Sequence, residues 1–149
     1  MYERLSKRVE KVIKDLAPAI AREYELDYVG TEHVLLAIER EGTGVGAQVL
    51  HEYGINGAQL KHAVDKLVRK SMEETWVFGR LPGTPHFRNV MATAIEQARG
   101  LESNEVCTEH LLLALAKEKD SVACTALRHL KLDYARVRAE VLRLTASAS

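Results

Sequence analysis

The chain has 149 residues, enough for one domain with its own core, and 46% of them are hydrophobic. Lys plus Arg and Asp plus Glu each total 21, so the net charge is zero and no basic excess exists to drive counterion release from nucleic acid. Two cysteines, Cys107 and Cys124, are too few for a disulfide framework, no signal-peptide pattern opens the chain, and apolar runs such as Val34 to Ile38 stop at charges. The expectation is a soluble, monomeric, cytoplasmic protein that binds neither nucleic acid nor membrane.

In chain order, the first helix follows Ser6, a plausible N-cap, and buries Val9, Val12, Ile13, Leu16, Ile20 and Tyr24 at three-to-four spacing. Pro18 predicts a kink or bulge in it, because proline lacks an N–H and crowds the preceding turn. A second helix starts at Thr31 and breaks at Gly42 and Gly44; a third runs from about Val45 to Tyr53, ahead of Gly54 as C-terminal cap. Asn56 and Gln59 form a capping-box pattern for a fourth helix, whose core face carries Leu60, Val64 and Leu67. The stretch 71–83, with Trp76, Phe78, Gly79, Pro82 and Gly83, reads as a linker with apolar anchors.

From Thr84-Pro85 the same scheme begins again, with Thr108, Ser121 and Asp133 as further caps. Thr31-Glu32-His33-Val34-Leu35-Leu36-Ala37-Ile38 returns 77 residues later as Thr108-Glu109-His110-Leu111-Leu112-Leu113-Ala114-Leu115, and 12 of the 37 pairs between 31–67 and 108–144 are identical. Upstream, Ser6 to Ile13 matches Thr84 to Met91 at an offset of 78, so the first copy carries one extra residue before Ala21. No segment alternates like a strand. The predicted fold is all-α: eight helices as two tandem four-helix repeats, about 5–70 and 84–144, packed as one pseudo-twofold unit, with 145–149 as a tail.

Two in-register copies of the Thr-Glu-His-(Val/Leu)-Leu-Leu-Ala helix resemble the N-terminal repeat domain of Clp-type AAA+ unfoldases, in its ClpC-like form. Tyr28-Val29-Gly30, Glu41-Gly42-Thr43-Gly44-Val45 and Leu81-Pro82-Gly83-Thr84-Pro85 add to the likeness, which covers nearly the whole chain. The resemblance implies a recognition module on a hexameric ATPase ring that passes adaptors and client proteins to the motor and its protease core. The alternative is a free-standing accessory protein that regulates assembly of the Clp protease complex. The sequence holds no Gly-x-x-x-x-Gly-Lys-Ser/Thr phosphate loop, and Gly42 to Gly46 follows a helix rather than a strand, so neither ATP hydrolysis nor any cofactor is expected.

Some members of the resembled family recognise arginine-phosphorylated proteins through the glutamate of this motif. That implies ligand pockets at Glu32 and Glu109, with Thr31, Thr108, Ser6 and Thr84 as nearby hydroxyls. A carboxylate suits a guanidinium and a helix N-terminus suits a phosphate, although a first-turn glutamate also simply complements the helix dipole. Cys107 stands where the first copy has Gly30, and Lys119-Asp120-Ser121 replaces Gly42-Thr43-Gly44, which predicts an altered second pocket. His33 and His110 read as packed, hydrogen-bonded side chains, because Cys107 with His110 falls short of a four-ligand zinc site. No metal and no Cys-His catalysis are expected; the cysteines read as small buried residues.

Overall fold

The structure is a computed structural model that describes residues 4–26, 28–77 and 85–146, with backbone only for 68–77 and 85. Lys7–Lys11, Val12–Leu16 and Ala17–Glu23 form one continuous helix, α1, and α2 spans Thr31–Glu41, α3 Val45–Glu52 and α4 Gly57–Val77. The second copy follows as α5 Pro85–Gly100, α6 Thr108–Lys117, α7 Val122–His129 and α8 Tyr134–Ala146, giving eight helices among the described residues. None of them is long and apolar enough to cross a membrane.

The sequence signals at the helix ends are used as bonds. Ser6 Oγ accepts from Val9 N–H at 3.1 Å, and Asn56 and Gln59 exchange bonds of 2.8 and 3.0 Å, so orphan donors of both helix starts are satisfied. Ser121 and Asp133 do the same for Cys124 and Arg136. Gly42 and Gly54 end their helices at φ +78° and +69°, left-handed values that cost glycine nothing.

Three expectations are corrected. Thr108 is no cap: Cys107 holds the cap position, as Gly30 does in the first copy, and Thr108 is the first helical residue. Helix α4 continues through 71–77, the first part of the stretch read as linker, because that stretch contains no helix breaker before Gly79; the rest, with Thr84, lies outside the described residues. A strand pair also exists: Arg4–Leu5 (β1) and Glu105–Val106 (β2) run parallel, with Arg4 opposite Glu105 and Leu5 opposite Val106. Two residues are too few to show an alternating pattern.

The extra residue of the first copy is stored in α1. At Val12–Leu16 the helix widens into a π turn, where Ala17 N–H bonds the Val12 carbonyl five residues back. The π turn keeps Val12 buried on one side and Ala17 buried on the other, although five positions separate them. Their counterparts Val90 and Ala94, in the regular helix α5, are four apart and equally buried.

The repeats are interleaved. Helix α3 packs on α6 and α8, and by symmetry α7 packs on α2 and α4; α1 touches α6 as α5 touches α2, and α2 meets α6 at the centre. Each of these helix contacts between repeats has its mirror partner, which is the signature of an approximate twofold axis. Val34 to Ile38 and Leu111 to Leu115 are at most 8% exposed and join one core with Ile20, Leu50, Leu60, Leu127 and Leu132. Burying such side chains stabilises by roughly 1.5–3 kcal/mol each, and neither copy alone could cover both sides of its motif helix.

Candidate functional site

The start of each motif helix lies at the seam between repeats. His33 Nδ1 accepts from Gly30 N–H and His110 Nδ1 from Cys107 N–H, both at 2.8 Å, so each histidine takes the part a capping glutamate usually plays. The bond requires the neutral ring with its proton on Nε2. Burial holds both imidazoles down at about 4. These are the packed histidines expected from the sequence.

The threonines face across the seam. Thr108 Oγ1 accepts from Gly46 N–H at 3.0 Å, and Thr31 Oγ1 accepts from Ala123 N–H at 3.3 Å; 46 and 123 are equivalent positions, so the two bonds are symmetry mates. Thr31 and Thr108 thus stitch the repeats together. Close approach explains the local glycines: a Cβ on Gly44 would lie 2.3 Å from Thr108 Oγ1, and one on Gly46 2.9 Å from both Ile38 Cγ2 and the Thr108 carbonyl oxygen.

Glu32 and Glu109 are 7% and 8% exposed, yet neither carboxylate has a salt-bridge partner among the described residues. Burial raises both above the ordinary carboxylate value, opposed by each residue's own backbone N–H. Two basic side chains act on them at longer range, each from the first helix of the other repeat: His86 on Glu32 and Arg8 on Glu109. Each is anchored within its own repeat. Arg8 Nε donates to Thr43 Oγ1 at 2.8 Å and lies 3.8 Å from Glu41, while His86 Nδ1 is 2.7 Å from Glu118 Oε2.

The structure therefore brings Ser6, Arg8, Thr108 and Glu109 to one end of the seam, and Thr31, Glu32 and His86 to the other. Ser6 adjoins Cys107, whose thiol is raised by burial and then by Glu109 and Glu105. Thr84, the counterpart of Ser6, falls outside the described residues. Arg8 and His86 were not picked out from the sequence, although a signal exists: they are equivalent at the offset of 78, as their partners Glu41 and Glu118 are at 77.

The two ends differ at the residue that holds the cap position. A Cβ on Gly30 would stand 2.3 Å from Glu32 Oε1, so the first carboxylate folds over a bare glycine. Cys107 puts a side chain in the corresponding space, and Glu109 shares its end of the seam with a thiol.

Residues 4–82 and 83–148 each match the Clp repeat (R) N-terminal domain, one match per copy. The chain belongs to that family. The Clp repeat domain is 39% identical over 144 residues to the ATP-dependent Clp protease ATP-binding subunit ClpA homolog of Guillardia theta, covering 97% of this chain and 17% of that protein. It is 37% identical to the chloroplastic chaperone protein ClpC1 of Arabidopsis thaliana, over 97% of this chain and 15% of the relative. The fold matches the N-terminal domain of the chaperone ClpD from Arabidopsis thaliana, with TM-score 0.69, 19% identity and 95% of each chain covered. A chain from structural investigations of a malarial protein secretion system matches with TM-score 0.72 and 20% identity, over 94% of this chain and 93% of that one.

Proposed function

We propose that this Clp repeat domain is a non-catalytic recognition module of a Clp unfoldase, and that its seam holds phosphorylated arginine side chains of clients or adaptors. One observation carries the reading: two symmetry-related carboxylates, each more than nine-tenths buried, face the seam without an ion-pair partner among the described residues. A buried, ionised carboxylate is costly unless a cation joins it, and a guanidinium satisfies both oxygens at once. Arg8 and His86 each act on one of the glutamates from the opposite repeat: Arg8 supplies positive charge for a phosphate and His86 a ring N–H, with Ser6 as a hydroxyl donor at the second end. The relatives' names place them in Clp ATPase and chaperone assemblies, which supports an ATPase ring, its protease core and adaptors as partners. The free thiols of Cys107 and Cys124 suit a reducing compartment such as the cytoplasm.

The test is calorimetric titration with free phosphoarginine. Wild type should bind, and Glu32→Gln should weaken binding roughly ten- to a hundredfold, the usual loss for one charge-assisted contact. Glu109→Gln should cost less, because Cys107 already crowds the second pocket. No heat at millimolar ligand would leave the glutamates with a purely structural role.

A further inference from the structure

We propose that a cavity in the first repeat, away from the seam, is a docking site for a tyrosine side chain presented by a partner polypeptide. The cavity, about 280 Å³, opens where the end of α1, one face of α2 and the start of α4 meet, over Ile20, Leu36 and Tyr24. The second repeat shows what fills such a place. At the offset of 77, Gly57 corresponds to Tyr134, Ile20 to Gln97, Arg40 to Lys117 and Glu39 to Ala116. Gly57, Ile20, Arg40 and Glu39 all line the cavity. Their counterparts hold a ring: the Tyr134 hydroxyl is 3.0 Å from Gln97 Nε2, and Lys117 Nζ lies 5.6 Å from the Tyr134 ring centroid.

The second repeat therefore closes this position with an aromatic residue from its own helix start, while the first repeat has glycine there with the Glu39 carboxylate against it, and leaves the cavity beside them open. The lining selects the same kind of group. Ile20 and Leu36 supply an apolar floor for a ring. Arg40, the counterpart of Lys117, is fixed at the rim by two bonds to Glu23 of 2.8 and 3.1 Å, and Lys61, paired with Asp65 at 2.9 Å, stands 5.3 Å from the Tyr24 ring centroid, so two carboxylate-anchored cations border the space a second ring would enter. The Glu39 carboxylate would lie 2.7 Å from a Gly57 Cβ, and it is the acceptor that a phenol O–H needs. Acceptor and cations together complement a neutral aromatic donor; leucine offers no O–H, and an acidic side chain would meet Glu39 and Glu23.

The experiment is an amide-resolved NMR titration of the whole chain with N-acetyl-tyrosinamide. Shifts are expected at Ile20, Leu36 and Gly57 but not in α8, with affinity on the order of millimolar for so small a ligand. Glu39→Gln should weaken the response severalfold, and Gly57→Tyr combined with Glu39→Ala, which copies the second repeat, should abolish it. Should the double variant fail to fold, Glu39→Gln decides. An equal response to N-acetyl-leucinamide, or none to the tyrosine amide, would overturn the proposal. So would signals at these residues that move with protein concentration alone, since the occupant would then be a second copy of the chain. The seam takes no part in this experiment, so phosphoarginine binding stands or falls separately.

Discussion

His33 and His110 show how a single residue type can serve structure alone while looking like chemistry. Each is nearly fully buried, bonded through Nδ1 to the backbone, and held neutral by burial at about 4. In the unfolded chain an ordinary histidine titrates near 6.5, so below that value the unfolded state takes up protons that the folded state refuses. Stability from the histidines is complete above 6.5 and is lost as the pH falls toward 4. By pH 5 the loss amounts to about 2 kcal/mol for each residue. Glu32 and Glu109 work in the opposite direction: their raised values mean the folded state is protonated first, so they favour folding as the pH drops toward the ordinary carboxylate value of 4.5. Replacing both histidines by glutamine, which can accept the same backbone bond without titrating, isolates their part. Thermal melts at pH 7.5 and 5 should show wild type losing about 10 °C more than the double variant. Equal losses would mean that the imidazoles already titrate normally in the folded state.

At the scale of the element, helix α1 shows what a one-residue difference between repeats becomes in three dimensions. The offset change from 78 to 77 was legible in the sequence, and so was Pro18 as its marker; the π turn at Val12–Leu16 is the way the chain keeps both halves of the helix on the core. The caps at Ser6, Asn56, Ser121 and Asp133 were legible because side-chain capping is a local bond between residues three apart. Thr31 and Thr108 were not, because their hydroxyls bond backbone 92 and 62 residues away, and nothing local distinguishes such a threonine from a cap. Arg8 and His86 were missed for the same reason: their importance lies in the other repeat. If the π turn only stores the inserted residue, then deleting exposed Lys14 together with Pro18→Ala should give a regular helix with the register of α5. That variant should keep a cooperative melt within a few degrees of wild type. Deleting Ala92 from α5, which has no residue to spare, should rotate Ala94 and Ala98 off the core and cost several kcal/mol, in line with losses from core disruption. Equal damage from both deletions would show that the bulge carries structure of its own.

At the scale of the whole molecule, the reciprocal packing of α3 on α6 and of α7 on α2 makes the seam both the centre of the fold and the place where the buried glutamates lie. Stability and the recognition proposed for the seam therefore share one backbone, and a change that opens the seam should disturb both. Gly46 is the sharpest test. Its counterpart is Ala123, so the repeat pattern tolerates a methyl group at this position in the second copy, but in the first a Cβ would stand 2.9 Å from the Thr108 carbonyl oxygen and from Ile38 Cγ2. Backbone on one side and a buried isoleucine on the other leave little room to yield. Gly46→Ala should therefore destabilise by about 1–3 kcal/mol, the usual range for overpacking, and should stretch the bond from Gly46 N–H to Thr108. Because Thr108 adjoins Glu109, the damage should be felt at the second end of the seam, with Glu32 at the other end spared. Thr108→Val removes the same bond without adding bulk, leaves the Gly46 N–H without its acceptor and should cost about 1–3 kcal/mol. Denaturant melts of the two single variants and the double variant decide whether they share one mechanism: the double variant should lose clearly less than the sum, since residues on one bond are not additive. A strictly additive result would mean that the methyl group added by Gly46→Ala is accommodated by Ile38 alone and that the cross-repeat bond survives it.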